Sequence, residues 1–171
     1  MSYVGDNPDV SGFVNPLDPQ NYSDIMKFGN CTNTYVENKT VSAGSENCVD
    51  AVRGSDYVWS NCVLVGGAGI ATVTIKGAID GFTFRDCKIN HGNQTDLELG
   101  QFDKYWHPGR KPTKGGLIER CSSYDNKPIR ITCWNANKPE IIDTNVNITV
   151  VPWVIWFPYF CFRYVWIRIF P

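Results

Sequence analysis

Charge is scarce in this 171-residue chain. Asp, Glu, Lys and Arg make up 19% of it and nearly cancel, leaving a formal net charge of −1. So weak a field gives no electrostatic grip on a phosphate backbone and argues against a nucleic-acid partner. Also missing is any Cys-x-x-Cys pair among Cys31, Cys48, Cys62, Cys87, Cys121, Cys133 and Cys161, so the usual spacing of a zinc or dithiol site is absent. Seven is an odd count, so one thiol is left over if the rest form disulfides. The opening MSYVGDNPDVSGFVNP has no basic segment followed by an apolar run. No secretory signal is read there, and reduced thiols in an intracellular setting are expected. The Asn-x-Ser/Thr sites at Asn21, Asn30, Asn38, Asn93 and Asn147 then read as turn chemistry rather than as glycan acceptors.

What is present is repetition. Aligned on cysteine, the chain reads IMKFGNCTN from Ile25, YVWSNCVL from Tyr57, FTFRDCKI from Phe82 and LIERCSS from Leu117, with a degenerate IIDTNVNI from Ile141. Those cysteines recur 31, 25 and 34 residues apart. Between them lie shorter alternating segments: CVDAVRG from Cys48, ATVTIKG from Ala71, DLELG from Asp96 and IRITC from Ile129, three of which end at Gly. Period-2 alternation at such a repeat, broken by glycines, predicts a β-solenoid whose short strands pair in parallel with the coils above and below. Cysteine at one register suits a buried ladder of small apolar side chains. A metal or redox thiol cluster is the functional alternative, but no His or acid ligand recurs beside these cysteines. Asn30, Asn61 and Asp86 precede their cysteines, and Asn and Asp suit a left-handed corner between strands.

FTFRDCKI in particular resembles the repeat of right-handed parallel β-helix proteins of the pectate-lyase-like kind. The resemblance spans roughly residues 25–148 and concerns fold. It implies an all-β chain coiled right-handedly over about 4–5 turns. Residues 1–24, with Pro8, Pro16 and Pro19, read as an irregular arm or cap rather than a strand. Residues 149–171 form an apolar tail.

The widest cysteine interval holds QFDKYWHPGRKPTKGG, Gln101 to Gly116. Loops on a rigid scaffold often carry binding residues. Tyr105, Trp106, His107, Arg110 and Lys111 could stack on and hydrogen-bond a sugar, or anchor a protein partner. Without such a role this is a solvated loop whose Trp106 covers a coil edge. The resemblance also implies a chemistry to check, since pectate-lyase-like enzymes use carboxylates to hold calcium and a basic residue to take a proton, and related hydrolases use paired acids. Asp96 and Glu98 lie two apart on one predicted strand and share a face, expected to be the outward one, with Leu97 and Leu99 pointing in. With Asp103 and Arg110 they are the candidate catalytic set. Any solvated strand face has the same pattern, no second acid cluster completes a groove, and His91 and His107 lack a nucleophile partner. No metal or cofactor is expected.

From Thr149 the chain reads TVVPWVIWFPYFCFRYVWIRIFP. Trp153, Trp156, Phe157, Tyr159, Phe160, Phe162, Trp166 and Phe170 are its candidate anchors. The uncharged run from Thr149 to Phe162 is shorter than a spanning helix needs, but the whole stretch reaches that length if Arg163 and Arg168 snorkel. A membrane anchor is one expectation, and an arm docked against other protein subunits is the other. Short β-helices with an anchoring segment resemble, in organisation, proteins that tailed phages and other viruses carry on their particles. That resemblance implies a non-enzymatic structural or attachment protein, homo-oligomeric and located in a virion or other large assembly. The alternative is a membrane-associated polysaccharide lyase, hydrolase or carbohydrate-binding module.

Overall fold

A computed structural model describes residues 3–6, 26–42, 47–66, 71–77, 79–90, 92–101, 113–134 and 138–151, and all regular structure among them is β. The strands fall into three parallel rows. The first holds the opening halves of β2 (Met26–Glu37) and β4 (Val49–Ser60), then β6 (Ala71–Lys76), β9 (Thr95–Gln101), β11 (Ile129–Trp134) and β13 (Val146–Val151). In the second, the closing halves of β2 and β4 continue into β7 (Asp80–Arg85), β10 (Lys114–Glu119) and β12 (Glu140–Ile142). Because β2 and β4 run through both rows, the two make one curled sheet of ten strands. The third row is a separate sheet of β3 (Thr40–Ser42), β5 (Val63–Val65) and β8 (Lys88–Asn90), prolonged by a bridge from Lys88 to Ser122. The alternating segments read from sequence are the first-row strands β4, β6, β9 and β11.

One corner recurs between the second and third rows. Asn38, Asn61, Asp86, Arg120 and Asp143 all have φ between 47° and 54°, the left-handed region that Asn and Asp enter most readily. Each of the first four donates its N–H to the next pass of chain: to Ser60 O (3.1 Å), Arg85 O (3.0 Å), Glu119 O (3.0 Å) and Ile142 O (2.9 Å). This stacking corrects the cysteine alignment. Cys62, Cys87 and Cys121 each follow a corner residue, but Cys31 lies inside β2 opposite Gly54, so Asn38 rather than Asn30 is the first corner. Lys39 and Thr144 take the cysteine position at the two ends. Gly54 is forced by that close pairing: its φ is +103°, and a Cβ there would lie 2.0 Å from Cys31 O.

The inward side chains stack in register. Val49, Val73, Leu97 and Ile131 form one ladder and Ala51, Ile75, Leu99 and Cys133 another, all buried. In the second row the ladder is aromatic. Trp59 lies face to face with Tyr57 (centroids 5.6 Å, 8°) and Phe84 (4.7 Å, 11°), with Phe28 edge-on at 6.0 Å. Such stacking adds to burial, the main favourable term of the fold.

β1 (Tyr3–Asp6) pairs antiparallel with the closing half of β2, so part of the segment expected to be irregular is a strand. It covers the β2 edge, which would otherwise present unpaired backbone groups. At the other end β13 runs to Val151, three residues past the boundary read at 148.

Candidate functional site

The outer face of the first row carries the acids singled out from sequence. β9 alternates as expected: Leu97 and Leu99 enter the core, while Asp96 and Glu98 share the opposite face. They are not solvated, however, being 2% exposed, and Asp50, Thr72 and Thr74 on the same face are buried too. Strand register stacks Asp50, Thr74, Glu98 and Thr132 into one polar ladder.

Asp96 is fully engaged. One carboxylate oxygen accepts from the Arg130 backbone N–H at 2.8 Å and from its Nε at 3.3 Å; the other accepts from Nη2 at 2.7 Å. Arg130 also donates to Gly92 O (2.6 Å) and Gln94 O (3.3 Å), and Asp96 raises its pKa through hydrogen bonding and charge. Asp50 is paired with Lys76 at 2.9 Å, and Glu98 has an interaction of its own. Sequence reading missed Lys76 and Arg130. Their signal was cross-strand, a cation 26 or 34 positions from its acid, and it appears only once the register is known.

A second charged group sits at the exposed corner. Arg85 Nε holds Glu119 at 2.7 Å, and Arg120, which also contacts Glu119, holds Asp86 through Nε (2.7 Å) and Nη2 (3.0 Å). Hydrogen bonds from Arg120 and Arg85 keep the Asp86 and Glu119 carboxyls below their ordinary values. Nearby, Lys127 and Ser123 pull Asp125 down to about 2.

Beside this corner the thiols of Cys62, Cys87 and Cys121 stack behind one another. Hydrogen bonds to Cys121 and Cys62, together with burial, push the Cys87 thiol up, while the bond from Cys87 brings Cys62 down to about 7 against the effect of burial. A lowered pKa favours the thiolate, but the Cys62 side chain is 1% exposed and no reagent reaches it. The sulfurs follow a line up the stack and do not converge on a point. Among the described residues, no three His, Cys, Asp or Glu side chains come together as metal ligands.

No family model, curated protein or solved structure matches this chain. Function therefore has to be argued from the residues themselves. Asp103, Tyr105, Trp106, His107, Arg110 and Lys111 lie outside the described residues, as do His91 and the anchors Trp153, Trp156, Phe157, Tyr159, Phe160, Phe162, Trp166 and Phe170. Of the candidate catalytic set, Asp96 and Glu98 are thus placed, both buried on one sheet face, with Asp96 paired to Arg130. Among the described residues no helix is long and apolar enough to cross a membrane.

Proposed function

We propose that the chain is a short right-handed parallel β-helix acting as a non-enzymatic structural or attachment component of a large assembly of the phage or viral-particle kind. Residues 149–171 dock it to other subunits. Three rows visited in turn, a shared left-handed corner and stacked inward ladders support the coil. Handedness and placement in a particle come from the resemblances of repeat and organisation. The 101–114 loop, with Tyr105, Trp106 and Arg110, is where a glycan or protein would be contacted.

The observation that carries the non-enzymatic reading is the state of Asp96. A general base must be free to accept a proton. A carboxylate whose two oxygens already hold one backbone N–H and two guanidinium nitrogens is occupied on both sides and is not placed to take a proton from a substrate. The same contacts tie β9 to β11, so the acid serves the stack. Native isolation tests the assembly. Taken without denaturant from the cells or particles that make it, the 19.3 kDa chain should be recovered in a complex many times its own mass. Recovery as a free monomer, or only with floated lipid, refutes the docking. Asp96→Asn tests the chemistry. It should lower thermal stability and change no sugar-cleaving activity; cleavage of an acidic polysaccharide that disappears in this variant refutes the non-enzymatic reading.

A further inference from the structure

Thiol pairs close in sequence are absent from this chain, but strand stacking makes neighbours of distant ones. Ser60 pairs with Arg85 and Val63 with Lys88, so Cys62 and Cys87 stand in register on successive strands. The Asn61 N–H donates to Arg85 O at 3.0 Å and the Lys88 N–H to Cys62 O at 2.8 Å, which fixes that register on both sides of the pair. Arg85 with Glu119 and Lys88 with Ser122 set Cys121 above Cys87 in the same way. Glu37 with Ser60 and Thr40 with Val63 put Lys39 directly below Cys62. The other described cysteines with an assigned register do not stack on cysteine: Cys31 faces Gly54, and Cys133 lies between Leu99 and Val150.

Cys62 and Cys87 are hydrogen-bonded to each other and buried. Their sulfurs hang from equivalent points, 3.3 Å from Ser60 O and 3.2 Å from Arg85 O. Two sulfurs on a line do not suit zinc, which gathers four ligands around a point, nor a hard cation, which selects oxygen. They suit a soft monovalent ion, which selects thiolates and is satisfied by two of them on opposite sides. Two metal–sulfur bonds end to end span about 4.6 Å, against roughly 4.8 Å between neighbouring strands. Binding would break two S–H bonds, release both protons to solvent and form two sulfur–metal bonds, with no change of oxidation state. The product carries one negative charge, and the Lys39 ammonium already acts on Cys62 with the compensating sign. The Cys87–Cys121 gap is less suited, because the Asp86 carboxylate acts on Cys121.

We infer that the gap between Cys62 and Cys87 is a site for copper(I), held linearly by the two sulfurs. Burial leaves it no open channel, so the ion enters as the surrounding strands open and is retained when they close. The site is independent of the assembly role proposed above, and either can fail without the other.

The test equilibrates the full chain, without oxygen, with copper(I) supplied as its bicinchoninate complex. The chain is expected to draw one copper per molecule from the chelator, and X-ray absorption at the copper should show two sulfurs with no nitrogen or oxygen. Cys62→Ser and Cys87→Ser should retain none. Their far-UV circular dichroism should be unchanged, because a hydroxyl can donate to the same carbonyls. Cys121→Ser, Cys133→Ser and Cys161→Ser should keep the ion. If the serine variant does not fold, Cys87→Ala, which leaves only a small void, gives the same reading. The inference is overturned if the unaltered chain draws no copper, if a folded Cys87 variant keeps it, or if the ion has three sulfur neighbours. Loss of copper from the Cys133 or Cys161 variant also overturns it, since the ion then sits elsewhere.

Discussion

The central indole of the aromatic ladder offers the sharpest test of how this core is held. Trp59 is fully buried, and its Nε1 has no hydrogen-bond partner. A buried N–H left without an acceptor costs about 1–3 kcal/mol. Trp59→Phe removes that group and keeps a six-membered ring against Tyr57 and Phe84. It forfeits roughly 50 Å² of apolar burial, about 1.2 kcal/mol, and opens roughly 40 Å³, about 1 kcal/mol more. Gain and loss nearly offset, so Trp59→Phe should change stability by less than about 1.5 kcal/mol. Trp59→Ala relieves the same orphan but loses both stacked faces, and should cost about 3–5 kcal/mol. Urea unfolding of the full chain, followed by far-UV circular dichroism, measures both. If Trp59→Phe proves as costly as Trp59→Ala, the indole N–H is not an orphan and the reasoning fails.

Further outcomes follow from other parts of the stack. Gly54→Ala would place a Cβ against the Cys31 carbonyl at a positive φ, and should destabilise by at least about 2 kcal/mol in the same assay. The depressed carboxyls of Asp86, Glu119 and Asp125 contribute stability that is complete above their unfolded values of 3.8 to 4.5. That contribution fades as pH falls toward about 2. Melting temperature should therefore drop across that window, and Arg120→Ala should flatten the drop; a flat wild-type profile would contradict the pairing. Cys31, Cys48, Cys62, Cys87, Cys121 and Cys133 are all buried. Each should react with a thiol reagent only as fast as the chain unfolds, and fast labelling of Cys62 in the folded protein would show that its burial is misplaced.

Much of the fold was legible because its repeat is written in residues with one structural use. Asn61 and Asp86 mark the corner directly, and the glycines ending three of the short segments, Gly54, Gly77 and Gly100, all have positive φ. Alignment failed at β2, where Lys39 follows the corner and the cysteine lies inside the strand opposite Gly54. The candidate site was harder to read. Alternation correctly put Asp96 and Glu98 opposite Leu97 and Leu99, but alternation reports which face a side chain takes, not whether that face meets water. Nor does it reveal Arg130, because the partner of Asp96 lies 34 residues away and only strand register brings the two together.

The spacing between stacked corners has a consequence for how such a chain can change. Asn38 and Asn61 are 23 residues apart and Asp86 and Arg120 are 34 apart, yet both pairs meet at the same corner. The entropy of closing a loop grows only with the logarithm of its length, so the longer excursion costs only about 0.3 kcal/mol more than the shorter one. Additions between β9 and β10 therefore leave the stack almost as easy to close as before. The interval that departs most from the repeat is also the one where the scaffold tolerates new sequence at least expense.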